Sequence, residues 1–201
     1  MALKHSYSVL APLYDAAVRG PLDKVRRKSL SRLTDVKNKD ILINGIGTGL
    51  DIEYLPDGAR YTGSDITPLM LRRAEKRAHQ SDFNIRLECA DSLKLPFKNG
   101  TFDIIIMHLI LAVVPDPERA LQEADRVLKK NGSIYILDKF LRPGQLAPVR
   151  RGLNTVLRHI ATRTDVVFED VLSHSTHLHV VSDEPALAGG WFRLIELVKS
   201  S

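Results

Sequence analysis

The sequence predicts an α/β fold in which helices cover both faces of a doubly wound, mostly parallel sheet. Three observations indicate this fold. Short apolar segments alternate with segments of helical periodicity, residues 102–107 form a nearly continuous apolar run, and glycines follow the first apolar segment directly. A strand that is apolar along its length is buried on both faces, as the strands of a parallel sheet are. We expect the ligand of such a sheet to bind beyond the carboxyl ends of its strands.

Seven strands are expected from apolar runs that are bounded by glycine, proline or polar residues. They cover residues 41–44, 60–65, 84–89, 102–107, 133–137, 178–183 and 191–198. The helical spacing of apolar residues, together with turn signals, predicts the helices. These cover residues 6–17, 22–33, 50–55, 67–80, 117–128, 145–162 and 168–175. In the fourth of them, Thr67 is the expected N-cap and Pro68 the first helical residue.

Length and composition predict one domain. A chain of 201 residues with 44% hydrophobic and 26% charged residues can bury one sizeable core. We expect two N-terminal lid helices in residues 1–33, a ligand-binding core in residues 40–138, and a basic helix with the last strands in residues 139–201. The single cysteine, Cys89, argues against a disulfide framework and is expected to be buried in a strand. The sequence shows no signal peptide or membrane span, which favours a cytoplasmic location.

The net charge of +5 is concentrated in two segments. Residues 1–33 carry seven basic side chains against two acidic ones, and residues 139–163 carry six basic side chains and no acidic one. Two basic segments on an otherwise acidic chain indicate an anionic surface or ligand. The alternative is that they form two solvated helix faces.

The glycine-rich segment that follows the first strand is the main candidate for ligand binding. Gly45, Gly47 and Gly49 have the spacing G-x-G-x-G, and without Cβ atoms the backbone can turn sharply and approach a ligand closely. This spacing is shorter than the dinucleotide fingerprint G-x-G-x-x-G and suits a nucleoside that carries an amino-acid tail. Asp65 lies twenty residues after Gly45, where a carboxylate at the end of the second strand meets ribose hydroxyls. Asp91 follows the third strand and is placed to bind an exocyclic amine.

These motifs resemble those of the class I S-adenosylmethionine-dependent methyltransferases. The matching segments are residues 45–49, 63–71, 91–97 and 102–103. Within this class, the sequence is most similar to the small bacterial phosphatidylethanolamine N-methyltransferases. That likeness rests on residues 11–15, 47–50, 113–117 and 191–195. Quinone-ring methyltransferases share several of these segments.

The resemblance implies a Rossmann-like, seven-stranded fold with an N-terminal helical lid, and S-adenosylmethionine as cofactor. The implied cofactor-binding residues are Tyr14, Gly45, Ile46, Gly47, Gly49, Asp65, Ile66, Met70, Asp91, Ser92 and His108. The glycines would line the methionine moiety, Asp65 would bind the ribose, Ile66 would pack on the adenine, and Asp91 with Ser92 would meet its amino group. Members of this class often carry an acid two residues before the first glycine, near the cofactor's ammonium. Here that residue is Ile43.

The resemblance further implies methyl transfer to the amine of phosphatidylethanolamine or its methylated forms at a membrane surface. The protein's part in such a displacement is to align the reactants and exclude water. An amine acceptor must be neutral, and Tyr7, Tyr14 or His108 is the candidate to orient it or take its proton. The first helix would cover the cofactor with its tyrosines, unless these are ordinary packing residues. Its basic neighbours and the helix over residues 145–162 would dock on anionic lipid.

Three alternatives remain for the function. The first is a methyltransferase that acts on a quinone or another small molecule, and the second is a cofactor-binding protein without methyl transfer. The third is a nucleic-acid methyltransferase, in keeping with the sequence pI of about 9.4. Against the third, residues 107–110 read Met-His-Leu-Ile where amino-group DNA enzymes usually carry an Asn/Asp-Pro-Pro-aromatic motif. Nucleic acid is therefore not the expected partner, and no protein partner is evident.

Two groups of polar residues have weaker claims to function. His174, His177 and His179 lack an accompanying cysteine or closely spaced acid, and methyl transfer of this type needs no metal, so none is expected. Asp138 and Lys139 end the fifth strand, where they either face the acceptor or form a strand-end pair. The sequence leaves open the acceptor's identity, the number of methyl groups transferred and the oligomeric state.

Overall fold

The computed structural model describes residues 20, 22–81, 83–142 and 166–201. Its seven strands are β1 (Asp40–Asn44), β2 (Arg60–Asp65), β3 (Ile85–Cys89), β4 (Phe102–His108), β5 (Leu128–Lys139), β6 (Leu178–Leu187) and β7 (Phe192–Lys199). They form one sheet with the order β3-β2-β1-β4-β5-β7-β6. Strands β1 to β5 pair in parallel, whereas β7 runs antiparallel to both β5 and β6. The predicted Rossmann-like, mostly parallel sheet is confirmed.

The described helices are α1 (residues 22–30), α2 (Pro68–Gln80), α3 (Pro117–Val127) and α4 (Phe168–Ser173). Two short 3-10 turns cover Ile52–Tyr54 and Ala188–Gly190. The first lies where the sequence predicted a helix over residues 50–55, and it is shorter because Pro56 follows at once and disfavours helical backbone before it. Thr67 is the N-cap residue of α2 and Pro68 is its first residue, as predicted, although the side chain of Thr67 makes no capping hydrogen bond.

Two strands are longer than their apolar runs predicted. Strand β5 already begins at Leu128, which pairs with Phe102, and a register shift in its pairing with β4 accommodates the turn-like residues before Ser133. Asn131 has a φ of 60°, which is typical of such an irregularity. Strand β6 runs through Pro185 to Leu187, and it can do so because it is an edge strand, where a missing N–H costs little.

Both faces of the parallel strands are buried. On β1, Leu42 belongs to the cluster that includes Leu121 of α3, whereas Ile41 and Ile43 belong to the cluster that includes Leu30 of α1. Because successive side chains of a strand point to opposite faces, β1 is packed on both sides and leaves no room there for a ligand. A site for a ligand is therefore left at the ends of the strands.

Helix α1 and the turn that follows it contact both the core cluster that includes Ile41 and Ile43 and the antiparallel edge strand β6. Leu30 is fully buried, and Lys28 and Arg32 both form ion pairs of 2.8 Å with Glu184 of β6. Within the described residues, no helix is long and apolar enough to cross a membrane. The helices predicted over residues 6–17 and 145–162 lie outside the described residues and remain predictions.

Candidate active site

The loop after β1 owes its path to glycines with positive φ. Gly45, Gly47 and Gly49 have φ values of 78°, 56° and 80°, a region that other residues rarely adopt. Gly47 is open, with no atom within 4 Å of the position its Cβ would take. At Gly49 a Cβ would lie 2.8 Å from Ile52 and 3.1 Å from the Cα of Ala74 in α2. Gly47 therefore leaves space for a ligand, whereas Gly49 allows helix α2 to pack closely.

A cavity of about 430 Å³ opens above this loop, and its size is that of a small-molecule site. It lies beyond the ends of β1, β2 and β4, at the point where the strand order reverses. Most of the predicted cofactor-binding residues line it: Gly45, Ile46, Gly47, Asp65, Ile66, Met70, Asp91, Ser92 and His108. Gly49 does not line the cavity, and Tyr7 and Tyr14 lie outside the described residues.

Asp65, at the end of β2, is held by backbone N–H groups. One carboxylate oxygen accepts a hydrogen bond of 3.1 Å from the N–H of Gly47, and the other accepts one of 2.8 Å from the N–H of Thr67. Burial raises the pKa of Asp65 above its ordinary value, and these backbone hydrogen bonds only partly oppose that effect. Asp65 thus joins the end of β2 to the glycine loop and presents a partly desolvated carboxylate to the cavity.

The residues after β3 complete this side of the cavity. Asp91 is exposed, and its carboxylate accepts a 2.9 Å hydrogen bond from the N–H of Leu93, which fixes the turn. Ser92 is buried and donates a 2.7 Å hydrogen bond to the side-chain oxygen of Asn44 at the end of β1. Ile66 is 44% exposed although it is large and apolar, and it forms part of the cavity wall. An exposed apolar side chain beside carboxylates suits the face of an aromatic base.

His108, at the end of β4, is part of a buried polar cluster. Its Nε2 lies 2.9 Å from the hydroxyl of Ser29 in α1, and its Nδ1 lies 3.0 Å from Oδ1 of Asp51. The same Oδ1 accepts a 2.6 Å hydrogen bond from Nη1 of Arg26, also in α1. We call Arg26, Ser29, Asp51 and His108 the α1 cluster. Three of its members, Arg26, Asp51 and His108, line the cavity.

Asp51 is ionised in this environment. Burial alone would raise its pKa, but the attraction of His108 and Arg26 and their hydrogen bonds outweigh burial and hold the pKa well below its ordinary value. Asp51 and Asp65 therefore line the same cavity with opposite pKa shifts: the contacts with His108 and Arg26 stabilise the first carboxylate, and burial disfavours ionisation of the second.

The sequence did not single out Arg26, Ser29 or Asp51. Arg26 lies in a run of basic residues, where a solvated helix face is the usual interpretation. Asp51 offered one signal, since it is a charged residue between Leu50 and Ile52 directly after the glycine motif. The contacts of this cluster join residues that are separated in sequence by 25, 57 and 79 positions, and no local pattern reveals such contacts.

The departure at Ile43 has a structural counterpart. Ile43 is 1% exposed and packs in the core cluster with Leu30 and Ile106. It pairs with Ile106 of β4, and His108 follows two residues later on the same face. The region just beyond Ile43 is therefore occupied by the α1 cluster, which carries a carboxylate that Ile43 itself lacks.

The wall contributed by the segment after β4 is apolar. It consists of Leu109, Ile110, Val113, Val114 and Pro115. Asp138 of β5 anchors this segment, because its carboxylate accepts a 3.0 Å hydrogen bond from the N–H of Ala112. Burial raises the pKa of Asp138 to about 6, against the effect of its backbone hydrogen bonds. Asp138 thus supports the wall from the end of β5 and is not part of the cavity lining.

Two predictions about other residues can be compared with the structure. Cys89 was expected to be buried, which is wrong: it is exposed, because β3 is the edge of the parallel part of the sheet. The three C-terminal histidines face different partners, Glu118 for His174, Asp125 for His177 and Ser200 for His179. No group of three metal-binding side chains occurs within the part of the chain that the structure describes.

Comparisons with known proteins agree with this geometry. Residues 42–136 match the methyltransferase domain family. The phosphatidylethanolamine N-methyltransferase of Cereibacter sphaeroides is 29% identical over 197 residues, which is 96% of each chain. The demethylmenaquinone methyltransferase of Thermus thermophilus is 32% identical over 139 residues, which is 66% of this chain and 63% of that relative.

Among solved structures, the [4+2]-cyclase SpnF has a TM-score of 0.79, with 98% of this chain and 95% of that chain covered. Its identity of 16% shows the shared fold alone. Sheet order, cavity and family match agree with the class I methyltransferase fold. The chain is an S-adenosylmethionine-dependent methyltransferase, similar over nearly its whole length to a phosphatidylethanolamine N-methyltransferase.

Proposed function

We propose that this methyltransferase transfers the methyl group of S-adenosylmethionine to the amine of phosphatidylethanolamine or of its methylated forms. The likeness to the Cereibacter sphaeroides enzyme carries the proposal, because it extends over 96% of both chains. The match to the demethylmenaquinone enzyme covers 66% of this chain. The segment over residues 113–117, on which the resemblance partly rests, contributes Val113, Val114 and Pro115 to the cavity wall.

The proposed placement of the cofactor follows the polar groups of the cavity. Asp65 binds the ribose hydroxyls, and Ile66 packs against the adenine, whose amino group meets Asp91. Gly47 gives the ligand close access to the loop because no neighbouring atom fills the space beside its Cα. S-adenosylmethionine supplies an activated methyl group, and the protein's part is to align it with the acceptor and to exclude water.

The apolar wall favours an amine acceptor in its reactive form. Desolvation disfavours the charged form of an amine, so an ammonium that approaches Ile110, Val113 and Val114 loses its proton more easily than it does in water. The same side chains keep water away from the sulfonium, which reduces competing hydrolysis.

His108 is not free to accept the proton in this geometry. Both of its ring nitrogens are engaged, one by Ser29 and the other by Asp51. It could serve as the base only after the contact with Ser29 breaks. We therefore propose that His108 shapes the cavity and that the amine reaches the cofactor neutral. Tyr7 and Tyr14, outside the described residues, remain candidates for orienting it.

Basic side chains of α1 support a membrane-surface location. Lys24 and Arg27 are exposed. Near an anionic membrane, each such charge adds about 1 kcal/mol of binding free energy. In this proposal the enzyme binds the inner face of the cytoplasmic membrane peripherally, and α1 lies beside the bilayer from which the acceptor is taken.

The proposal is tested by incubating the protein with methyl-labelled cofactor and a total lipid extract and identifying the labelled products by mass spectrometry. We expect labelled mono-, di- or trimethylated phosphatidylethanolamine. Anionic vesicles that contain phosphatidylethanolamine should support faster transfer than neutral vesicles with the same content. Label that enters a quinone and no phospholipid would overturn the proposal.

One observation favours a second acceptor class. The demethylmenaquinone methyltransferase is the more identical of the two relatives where it aligns, at 32%, and an apolar cavity wall also suits a quinone ring. A quinone acceptor predicts transfer that does not depend on anionic lipid. A parallel incubation with a demethylated quinone separates the two acceptors.

A further inference from the structure

The α1 cluster places two opposite charges at one part of the cavity wall. Arg26 is 6% exposed and Asp51 is 3% exposed, and both line the cavity. Taking a charged pair out of water is costly, and such a pair is only a weak source of stability compared with apolar packing. A buried ion pair that also borders a ligand cavity therefore suggests a role in binding.

The hydrogen bonds of Asp51 leave one of its oxygens for a ligand. Arg26 and His108 both bind Oδ1. Within the described part of the chain, Oδ2 has no hydrogen bond to a protein group, and the carboxylate is ionised because its pKa is lowered. An ionised carboxylate with an unused oxygen at a cavity wall is a binding site for a cation, such as an ammonium group.

The position of the cluster suits the tail of the cofactor. Asp65 ends β2, and His108 ends β4; β1 lies between these strands. Neighbouring strands are about 4.8 Å apart, so these two strand ends are separated by about 10 Å. The space beside the Cα of Gly47 is open, so a ligand can pass over it. If the ribose of this ligand binds on the β2 side, its other end reaches the α1 cluster.

We infer that Asp51 binds the α-ammonium of the cofactor's methionine moiety, and that Arg26 binds its α-carboxylate. This inference rests on the cofactor placement proposed above, but not on the identity of the acceptor. An α-amino acid is a zwitterion, and the pair offers each of its charges a partner of opposite sign. Ile43 has an apolar side chain that is buried in the core, so the carboxylate must come from another residue. His108 is a positioning residue, which holds the Asp51 carboxylate through Nδ1.

The competing interpretation is that the pair only anchors α1 over the sheet. The two interpretations differ in which ligands would lose affinity when Asp51 is substituted. An anchor affects all ligands of the cavity alike. An ammonium site affects S-adenosylhomocysteine, which has the amino-acid tail, and spares 5′-methylthioadenosine, which has the same nucleoside without that tail.

The test is a calorimetric titration of the full chain with both ligands, before and after the substitution Asp51→Asn. We expect the preference for S-adenosylhomocysteine over 5′-methylthioadenosine to fall by about 10- to 100-fold, the range of a hydrogen bond between buried charged groups. The affinity for 5′-methylthioadenosine should change little. The matched control is Asp23→Asn, the same change at an α1 carboxylate that accepts a hydrogen bond from Tyr54 and does not line the cavity. It should leave the preference unchanged.

Two further variants keep the test decisive. If Asp51→Asn fails to fold because Arg26 loses its buried counter-ion, the double substitution Arg26→Gln with Asp51→Asn removes both charges, and the same loss of preference is expected. Arg26→Gln alone should reduce discrimination against a decarboxylated analogue of S-adenosylhomocysteine. An equal loss of affinity for both ligands, or an unchanged preference, would overturn the inference. Failure of both ligands to bind the unsubstituted chain would instead refute the cofactor placement.

Discussion

The two sides of the cavity use the same residue type in opposite ways. On the β2 side, backbone N–H groups hold Asp65, and its pKa is raised by burial. On the β4 side, Arg26 and His108 hold Asp51, and its pKa is lowered. A neutral sugar hydroxyl needs an acceptor of hydrogen bonds and no counter-ion, which suits the first arrangement. A charged amino-acid tail needs fixed charges, which suits the second.

The largest effect is expected on the β4 side and concerns stability. Arg26→Met leaves Asp51 without its closest cation, and breaking a buried ion pair typically costs about 3–5 kcal/mol of unfolding free energy. The neighbouring Arg27→Met is the matched control: Arg27 is exposed and stacks on Tyr54, so its loss should cost less than about 1 kcal/mol. Urea unfolding measures both values. Equal losses for the two variants would show that the buried pair is energetically no different from a surface contact.

The next effect concerns ligand affinity on the β2 side. Asp65→Ala removes the proposed ribose contacts and the hydrogen bond that holds the N–H of Gly47, so the affinity for S-adenosylhomocysteine should fall by about 100-fold. The same loss is expected for 5′-methylthioadenosine, because both ligands carry the ribose. Asp65→Asn keeps one acceptor oxygen and should lose less. An affinity unchanged in Asp65→Ala, measured by calorimetry, would show that the ribose binds elsewhere.

The opposite pKa shifts predict a difference in pH dependence. As the pH falls towards the raised pKa of Asp65, this carboxylate protonates before Asp51 does, and it then accepts hydrogen bonds from the ribose less well. The affinity for both nucleosides should therefore fall together, by less than about tenfold per pH unit below that pKa, because the neutral carboxyl keeps one acceptor oxygen. Their ratio should stay constant, because Asp51 remains ionised. Asp65→Asn should flatten the pH profile of affinity. If the ratio of the two affinities changes at a higher pH than the affinities themselves, the assignment of the two carboxylates is contradicted.

The smallest effect is expected between the two sides, at the end of β1. Ser92→Ala removes the 2.7 Å hydrogen bond to Asn44, and we expect a loss of about 1 kcal/mol in unfolding free energy. Ligand affinity should fall by less than about threefold, because the hydroxyl of Ser92 is directed to Asn44. Thermal unfolding and calorimetry on the same sample check both parts. A large loss of affinity with unchanged stability would mean that Ser92 binds the ligand directly.

The same comparison shows how far a sequence predicts a site. The residues of the β2 side follow their strands directly, so a glycine motif and an acid twenty residues later were enough to predict Asp65. The residues of the β4 side come from a helix, a loop and a strand that meet only in the folded chain. Helix α1 itself was predicted, but its buried Arg26 was hidden among exposed basic neighbours. The exposure of Cys89 was misjudged for a related reason, since only the strand order shows that β3 is an edge.

The most direct test of this account is a crystal structure with bound S-adenosylhomocysteine. We predict that the ribose hydroxyls bind the carboxylate of Asp65, that the adenine packs on Ile66, and that the α-ammonium lies within hydrogen-bonding distance of Oδ2 of Asp51. A complex in which the amino-acid tail lies away from Arg26 and Asp51, with its ammonium bound by other groups, would contradict the account.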